Sequence, residues 1–499
     1  MVSSDVVLTT QTSRSLLSRF KTVIRSNLIL VTIVSVAAVV WVLVFNQAMS
    51  DFLLGTNWNG SGYIPIFGFT VPVEFEGWSD YSYYYLTWGN RFLEGYSPYT
   101  DAFNNVAPDQ YVPYFFPPLY LYLCALGNSL PFGQFGIAIL LCLFGYFTAV
   151  PVYGIAKYLS QNKRVGEIAV ASYLLNPLVL YHTVYEWLNP APFVFFMLLS
   201  FYLMMKRHRT VGTLAMVTAV LFKQTAVFMA LPLVAYLLRM PPSKELADTA
   251  SETSEEYELV VGDNLDLRGF FKVGLIVVVY VAIISVPYIF DIENYVYYLL
   301  VKPGMTLLRD LTTLPESNFP VTFAVPFIVI HTPTPIIQFF NLATAYSILL
   351  LISMVVIFIP MLSEVKDDRN LRDYWRRILF LSLLLLLAVH IFSPRGIYKY
   401  YCMALIPFFS IVNSERMIAH GTKKLRASFP MVLNPLLITL VILIPNRYIY
   451  LGFLVLVLLS YILHEHFGIV YNEFNLSFKY ILQNLRFRFS SITSHFSES

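Results

Sequence analysis

The sequence predicts an all-α polytopic membrane protein with about 12–13 transmembrane helices. Of its 499 residues, 57% are hydrophobic and only 13% are charged, and the mean hydropathy is +0.64. Apolar segments long enough to cross a bilayer recur along the chain, from 27–45 to 447–464. This composition excludes a soluble globular protein, and a net charge of +3 gives no reason to expect a nucleic-acid partner.

The chain begins with a basic tail, residues 1–26, which leads into the first apolar segment. No small-residue cleavage site follows that segment, so we expect a retained signal anchor. Most of the 33 Lys and Arg fall in this tail, in five polar connections and in the tail 465–499. The positive-inside rule therefore predicts that both termini are cytoplasmic. Both termini can lie on one side only if the number of membrane crossings is even, and this requires residues 115–131 to be re-entrant or shallow.

Three polar stretches interrupt the predicted transmembrane domain, 27–464. Residues 46–133 form a large first external loop that carries helices lying next to the membrane. Residues 240–269 are acidic and rich in Ser and Thr, which favours a disordered cytoplasmic loop. Residues 290–335 form a second external loop.

A short aromatic helix is predicted in the first external loop. Ser79 is placed to cap its N-terminus, and Gly95 ends it. One face carries four aromatic side chains: Tyr81, Tyr85, Trp88 and Phe92. We expect this face to lie along the bilayer surface.

Asp80 is the candidate catalytic residue of this loop. It falls in the first helical turn, where the positive end of the helix dipole favours the ionised carboxylate. A carboxylate fixed at a membrane surface can accept a proton from a substrate hydroxyl. The alternative is that Asp80 is an ordinary first-turn residue without a chemical role.

Other polar residues are predicted on the same external face. His182 and Glu186 are four residues apart, so a helical turn would bring them together as an acid–base or substrate-binding pair. Their alternative role is interfacial, in an aromatic belt. Lys223 and Gln224 lie between two short apolar segments, where an ammonium group can meet a lipid phosphate or simply extend to the interface.

A second pair of cations, Arg395 and Lys399, flanks aromatic residues at the external end of a late apolar segment. Binding of an anionic headgroup is the natural use of such a pair, and interfacial anchoring is the alternative.

No motif in the sequence indicates a cofactor, and the binding of a divalent cation is left open. Glu74 and Glu76 form an E-x-E pair that can hold such an ion through carboxylate oxygens, although a solvated loop is the simpler interpretation. Cys124, Cys142 and Cys402 are scattered through apolar segments, which argues against a disulfide framework and a metal knot.

The order of these motifs resembles the GT-C superfamily of integral-membrane glycosyltransferases, in its mannosyltransferase-like branch. The resemblance is carried by Asp80 in the first external loop, then Gly95-Tyr96-Ser97-Pro98-Tyr99 and Phe116-Pro117-Pro118-Leu119. Asn176-Pro177 with His182, and Phe222-Lys223, are similar to later landmarks of that branch. The similarity covers roughly residues 75–240, and the rest of the chain resembles the superfamily only in its succession of helices.

The resemblance implies an inverting transfer of a hexose, most often mannose, from a dolichyl- or polyprenyl-phosphate sugar donor. The acceptor would be a hydroxyl of a lipid-linked glycan or glycolipid on the extracytoplasmic side. Asp80 would be the general base, and the donor phosphate would be bound by Lys223, Arg395 and Lys399. Candidate substrate-binding residues are His182, Glu186, Tyr84 and Gln224. Some relatives carry a D-x-D motif in the first external loop, whereas this sequence has only Asp80 there. The resemblance therefore does not imply that a metal ion is required.

Two other classes compete with an enzyme. A transporter or flippase of a lipid-linked sugar would need ionisable residues at mid-membrane depth, whereas most charges here flank the apolar segments. A scaffold would leave the external polar residues unexplained. We expect a prokaryotic, archaeal cell membrane; the sugar and the acceptor do not follow from the sequence.

Overall fold

The computed structural model describes residues 26–55, 60–66, 68–75, 77–239, 265–302, 332–364, 371–393, 399–415 and 447–463. Helices dominate these ranges, with two short hairpins in the first external loop. The predicted all-α membrane class is therefore confirmed. The predicted basic tail (apart from Ser26), the tail 465–499, Arg395, and most of the stretches 240–269 and 290–335 lie outside the described residues.

The first half of the chain forms eleven labelled helices. They are α1 Leu28–Leu54, α2 Leu86–Leu93, α3 Asp101–Asn104, α4 Pro118–Ser129, α5 Gly136–Phe147, α6 Ala149–Ser160, α7 Lys163–Leu174, α8 Pro177–Val179, α9 Pro190–Met205, α10 Arg209–Phe222 and α11 Ala230–Leu238. Two π-helical turns, Asp80–Tyr85 and Leu180–Tyr185, precede α2 and follow α8. Two 3₁₀ turns, Gly133–Phe135 and Gln224–Met229, precede α5 and α11.

The second half is described in shorter blocks. Its helices are α12 Leu267–Ile289, α13 Ile292–Val296, α14 Thr334–Ala345, α15 Ile348–Ser363, α16 Leu371–Phe392, α17 Ile406–Glu415 and α18 Arg447–Leu463. A π-helical turn, Tyr297–Val301, follows α13, and a 3₁₀ turn, Lys399–Ala404, precedes α17.

Four helices in the described ranges are long and apolar enough to cross a membrane: Leu28–Leu54, Gly133–Ser160, Leu267–Ile289 and Leu371–Phe392. The pair Lys163–Leu174 and Pro177–Tyr185 passes the same test as one span bent by 43°. Shorter apolar helices accompany them. The predicted number of crossings includes segments such as 430–445 that the structure does not describe.

Among the described residues, the strands are confined to the stretch 60–111, within the loop that the sequence predicts to be external. β1 (Gly60–Ile66) pairs antiparallel with β2 (Phe69–Phe75) across a turn at Gly68, where φ is +84°. β3 (Asn105–Ala107) pairs with β4 (Gln110–Tyr111). The two hairpins flank, in sequence, the segment that carries Asp80.

The helix of the first external loop differs from the prediction in two respects. Ser79 adopts helical angles and makes no side-chain capping hydrogen bond, because it is already part of the helical backbone, in which the amide of Ser82 donates to the carbonyl of Trp78 at 2.9 Å. Its aromatic face also turns inward, since Tyr81, Tyr85 and Trp88 are each at most 2% exposed. Protein, not the bilayer surface, covers that face. The predicted end is confirmed at Gly95, where φ is +91°.

The aromatic helix packs on α4, which begins at the Phe116-Pro117-Pro118-Leu119 motif. A Cβ atom at Gly89 would lie 2.8 Å from the carbonyl oxygen of Cys124, so the two backbones are in direct contact. The hydroxyl of Tyr114 accepts a hydrogen bond from the backbone of Leu121 at 3.1 Å, in the first turn of α4. With 12 residues, α4 has a length of about 18 Å. A helix of that length alone is too short to cross a hydrocarbon core of about 30 Å.

A second close contact joins α4 to α5. Gly136 would place a Cβ atom 2.0 Å from the carbonyl oxygen of Gly127. Replacing Gly136 with Ala should therefore lower the unfolding temperature of the detergent-solubilised protein, at a cost of about 1–3 kcal/mol.

The matched control is Gly274→Ala in α12, because no heavy atom lies within 4 Å of a Cβ atom built there. This variant should unfold at the parent temperature or slightly above it. Equal unfolding temperatures for the two variants would show that the contact between α4 and α5 is looser than described.

Candidate functional site

Lys223 is buried between α10 and the 3₁₀ turn that follows it. Its backbone is extended, with φ −153° and ψ 125°, and the side chain is only 5% exposed. The ammonium group donates a hydrogen bond of 2.6 Å to the amide oxygen of Asn189. A buried lysine is costly unless polar groups bind it, so Asn189 is part of what keeps this cation in place.

Four aromatic rings surround the Lys223 ammonium. Their centroids lie 4.8–6.0 Å from Nζ, and they belong to Phe116, Phe193, Tyr400 and Tyr401. A desolvated cation gains up to about 2 kcal/mol from a well-placed ring face. The contacts bring together three motifs that are far apart in sequence: the Phe-Pro-Pro-Leu motif, the Lys223 turn and the aromatic run after Arg395.

A small cavity opens beside this aromatic shell. It has a volume of about 40 Å³ and is lined by Lys223, Phe193, His390 and Tyr401 among others. That volume accommodates about one or two water molecules. Both ring nitrogens of His390 lie 2.7 Å from backbone carbonyls, those of Leu386 and Tyr401, so His390 joins the end of α16 to the 3₁₀ turn.

Asp80 lies near a hydrogen-bonded group of side chains that includes Lys223. Asn189, which binds the Lys223 ammonium, donates from its amide nitrogen to the hydroxyl of Tyr85 at 3.0 Å. In a π-helical turn residues i and i+5 are adjacent, which places Asp80 beside Tyr85. Burial raises the pKa of Tyr85 well above its usual value, and the negative charge of Asp80 raises it further. Tyr85 is therefore a protonated phenol that is hydrogen-bonded to Asn189 and feels the charge of Asp80.

The segment that carries Asp80 is fixed to the turn after α8. Both oxygens of the Glu186 carboxylate are engaged there: Oε1 accepts from the backbone of Gly77 at 3.0 Å, and Oε2 lies 2.6 Å from Nδ1 of His182. The indole of Trp78 donates to the carbonyl of Tyr185 at 2.6 Å. These contacts set the position of the first π-helical turn relative to the second.

The predicted pairing of His182 with Glu186 is present, but on a π-helical turn in place of an α-helical one. The two side chains are 1% and 0% exposed, so this arrangement holds the loop and does not present them to solvent. Gln224 donates to the carbonyl of Phe115, and more weakly at 3.4 Å to that of Leu299. Tyr84 is half-buried, with its ring centroid 5.4 Å from that of Trp88.

The remaining predicted cations are less defined. Arg395 lies outside the described residues, and Lys399 begins the Lys399–Ala404 turn with a side chain that the structure does not describe. Glu76 is outside the described ranges, as is the side chain of Glu74. Across the described ranges, no three His, Cys, Asp or Glu residues are grouped so as to hold a metal ion. Whether the protein binds a divalent cation therefore stays open, as it was from the sequence.

Asn189 and His390 were not among the residues predicted from the sequence, and Tyr85 was predicted only as one member of an aromatic face. A usable signal existed for Asn189, because an Asn directly before a Pro at a helix start has a side chain free of regular helix contacts. No signal pointed to His390.

One sequence family matches this part of the chain. Residues 91–302 are similar to the family described as GPI transamidase subunit PIG-U. The matched stretch contains the Phe-Pro-Pro-Leu motif, Asn189 and Lys223, and it begins after Asp80. No curated protein sequence matches the chain.

Among solved structures, the chain matches the oligosaccharyltransferase of Archaeoglobus fulgidus in its apo crystal form. The two share 13% identity with a TM-score of 0.41, and the match covers 85% of this chain. The chain spans 56% of the length of that oligosaccharyltransferase.

Loss of the Glu186 carboxylate should free the Asp80 segment. In Glu186→Ala the buried amide of Gly77 loses its acceptor, at a cost of about 1–3 kcal/mol. Hydrogen–deuterium exchange of the peptide that contains residues 77–85 should accelerate.

Glu94→Ala provides the control, because its carboxylate is 56% exposed and pairs only loosely with Arg91 at 3.7 Å. Exchange in the same peptide should stay at the parent rate. Unchanged exchange in Glu186→Ala would contradict the proposed anchoring.

Proposed function

We propose that the protein is a GT-C-type inverting glycosyltransferase. In this proposal it moves a hexose, with mannose as the first candidate, from a dolichyl- or polyprenyl-phosphate sugar to a hydroxyl of a lipid-linked glycan or glycolipid. The reaction takes place on the extracytoplasmic face of the membrane. The main support for the proposal is the hydrogen-bonded series Lys223–Asn189–Tyr85. It connects a buried cation to Tyr85, which feels the charge of Asp80.

The two ends of this series suit the two charges that the reaction creates. The acceptor hydroxyl loses its proton to Asp80 as its oxygen bonds to the anomeric carbon. The bond from that carbon to the phosphate oxygen breaks on the opposite face, and the polyprenyl phosphate leaves with an additional negative charge. Lys223 stabilises that charge, and a cation in an aromatic, water-poor shell does so more strongly than one in water.

The other candidate residues have supporting roles in this proposal. Arg395 and Lys399 add positive charge for the phosphate, from the segment that also supplies Tyr400 and Tyr401. Tyr84 and Gln224 contact the substrate at the edge of the group. His182 and Glu186, which the structure buries, act by holding the Asp80 segment in position.

The decisive test is Asp80→Asn in the full-length protein. We expect transfer from polyprenyl-phosphate mannose, assayed with a panel of lipid-linked acceptors, to fall by about 10²–10⁴-fold, because the amide cannot accept the proton.

Asp109→Asn is the matched control, since it removes an exposed carboxylate from the same loop without touching the aromatic helix. Its transfer rate should equal that of the parent. Parental activity in folded Asp80→Asn protein would refute the catalytic assignment.

Lys223 can be tested separately through binding of the leaving group. Replacing it with Met keeps a long side chain in the aromatic shell but removes the charge. Affinity for polyprenyl phosphate should fall about 10–100-fold, the usual loss for a charge-assisted hydrogen bond.

Lys302→Met is the control for the cation–ring contacts themselves. Lys302 also faces two tyrosine rings, at 4.1 and 5.0 Å, but these rings belong to Tyr298 and Tyr111, neither of which faces Lys223. Its variant should bind the phosphate like the parent. Equal losses in both variants would remove Lys223 from the proposed site.

A second candidate function is favoured by the match to the family described as GPI transamidase subunit PIG-U. In this alternative the chain is a subunit of a larger membrane enzyme, and its buried cation and aromatic shell bind a lipid-linked glycan without catalysis. The two candidates differ in the role of Asp80. Equal glycan binding by the purified parent and the Asp80→Asn variant, with no sugar transfer by either protein, would favour the subunit.

A further inference from the structure

A second cavity lies at the far ends of the helices that lead away from the Lys223 group. α9 starts beside Asn189 and is followed by Lys206, whereas α16 carries Arg372 in its first turn and His390 near its end. With 22 residues, α16 separates these ends by about 33 Å, the thickness of a bilayer core. The second cavity therefore faces the opposite side of the membrane.

This cavity has a volume of about 320 Å³, and cations and tyrosines dominate its lining. We call it the basic–tyrosine pocket and define it by Lys157, Lys206, Arg372, Tyr153, Tyr158 and Tyr202. Lys206 faces two of the rings, at 5.5 and 5.8 Å, and Lys157 faces the third at 5.5 Å.

The positive charge of this pocket is poorly balanced. Within the described ranges, neither Lys157 nor Lys206 forms an ion pair with a carboxylate. The carboxylate nearest to Arg372 is that of Asp373 at 3.7 Å, and Asp373 is shared with Arg376 at 3.1 Å. The buried Nε of Arg372 has no hydrogen-bond partner in the described part of the chain. Three cations thus surround a space whose described lining includes no carboxylate.

An apolar strip leads from the membrane core into the same pocket. On the continuous helix Gly133–Ser160, exposed side chains recur at helical spacing at Leu143, Phe147 and Val150. The same face continues to Gly154 and Lys157, which line the cavity. A ligand with an anionic head and an apolar tail matches this sequence of surfaces.

We propose that the basic–tyrosine pocket binds the phosphate headgroup of an anionic phospholipid from the leaflet opposite the Lys223 site. Arg372 supplies forked donors for phosphate oxygens, and the two lysines supply charge from the ends of their helices. Tyrosine side chains suit the headgroup region, because each combines an apolar ring with a polar hydroxyl. One acyl chain lies along Leu143, Phe147 and Val150.

Lipid binding can be measured on the full-length protein in a neutral detergent. Dioctanoyl phosphatidylglycerol should raise the unfolding temperature in a saturable way, whereas dioctanoyl phosphatidylcholine should not. The double variant Lys157→Gln and Lys206→Gln should bind the anionic lipid about tenfold more weakly, or weaker still. Both lysines are exposed, so its unfolding temperature without lipid should match that of the parent.

Arg268→Gln is the matched control, because it removes an exposed charge on the same face, at the start of α12, outside the pocket. It should bind the lipid with the parent affinity. Equal weakening in the control and the double variant, or no saturable binding by the parent, would overturn the proposal. Inorganic phosphate that stabilises the parent as strongly as the lipid at equal concentration would overturn the assignment to a lipid.

Discussion

The cost of burying polar groups determines where the segment that carries Asp80 lies. Glu186 is 0% exposed, and its carboxylate is retained because one oxygen accepts from Gly77 and the other pairs with His182. Each of these groups would carry a large desolvation penalty alone, and together they satisfy one another. The loop segment is thereby tied to the turn after α8, and the position of Asp80 depends on this attachment.

A second consequence concerns the π-helical turns. Both Asp80 and His182 stand on such turns, which are less stable than regular α-helix. The extra residue per turn rotates the following side chains, and this rotation allows Tyr85 to reach Asn189. The contact between the two turns, through Trp78 and the carbonyl of Tyr185, compensates part of that cost. The two π-helical turns and the long-range contact between them are therefore parts of one arrangement.

The sequence was sufficient for the class of fold and for some of the site. Hydropathy predicted the helical membrane protein, and the four-residue spacing predicted the contact between His182 and Glu186. The direction of the aromatic helix was not predictable from its periodicity, because a face of Tyr and Trp suits a bilayer surface and a protein core equally well. In the structure the close backbone contact at Gly89 and the hydrogen bonds of Tyr81 and Trp88 place this face in the core.

Contacts between residues that are far apart in the chain were the other feature that the sequence could not predict. Lys223 was expected to meet a lipid phosphate or to extend to the interface, yet its ammonium group contacts Asn189 and rings from positions 116, 193, 400 and 401. These residues come from separate stretches of the chain, so no local pattern can reveal the shell.

The aromatic shell also bears on which cation the site can hold. A lysine ammonium is compact and lets four rings approach within 6.0 Å while one donor reaches Asn189. A guanidinium group is planar and wider, and it would stack on one ring and displace the others. The shape of the shell therefore favours a point charge, which can interact with a phosphate oxygen from any direction that the rings leave open.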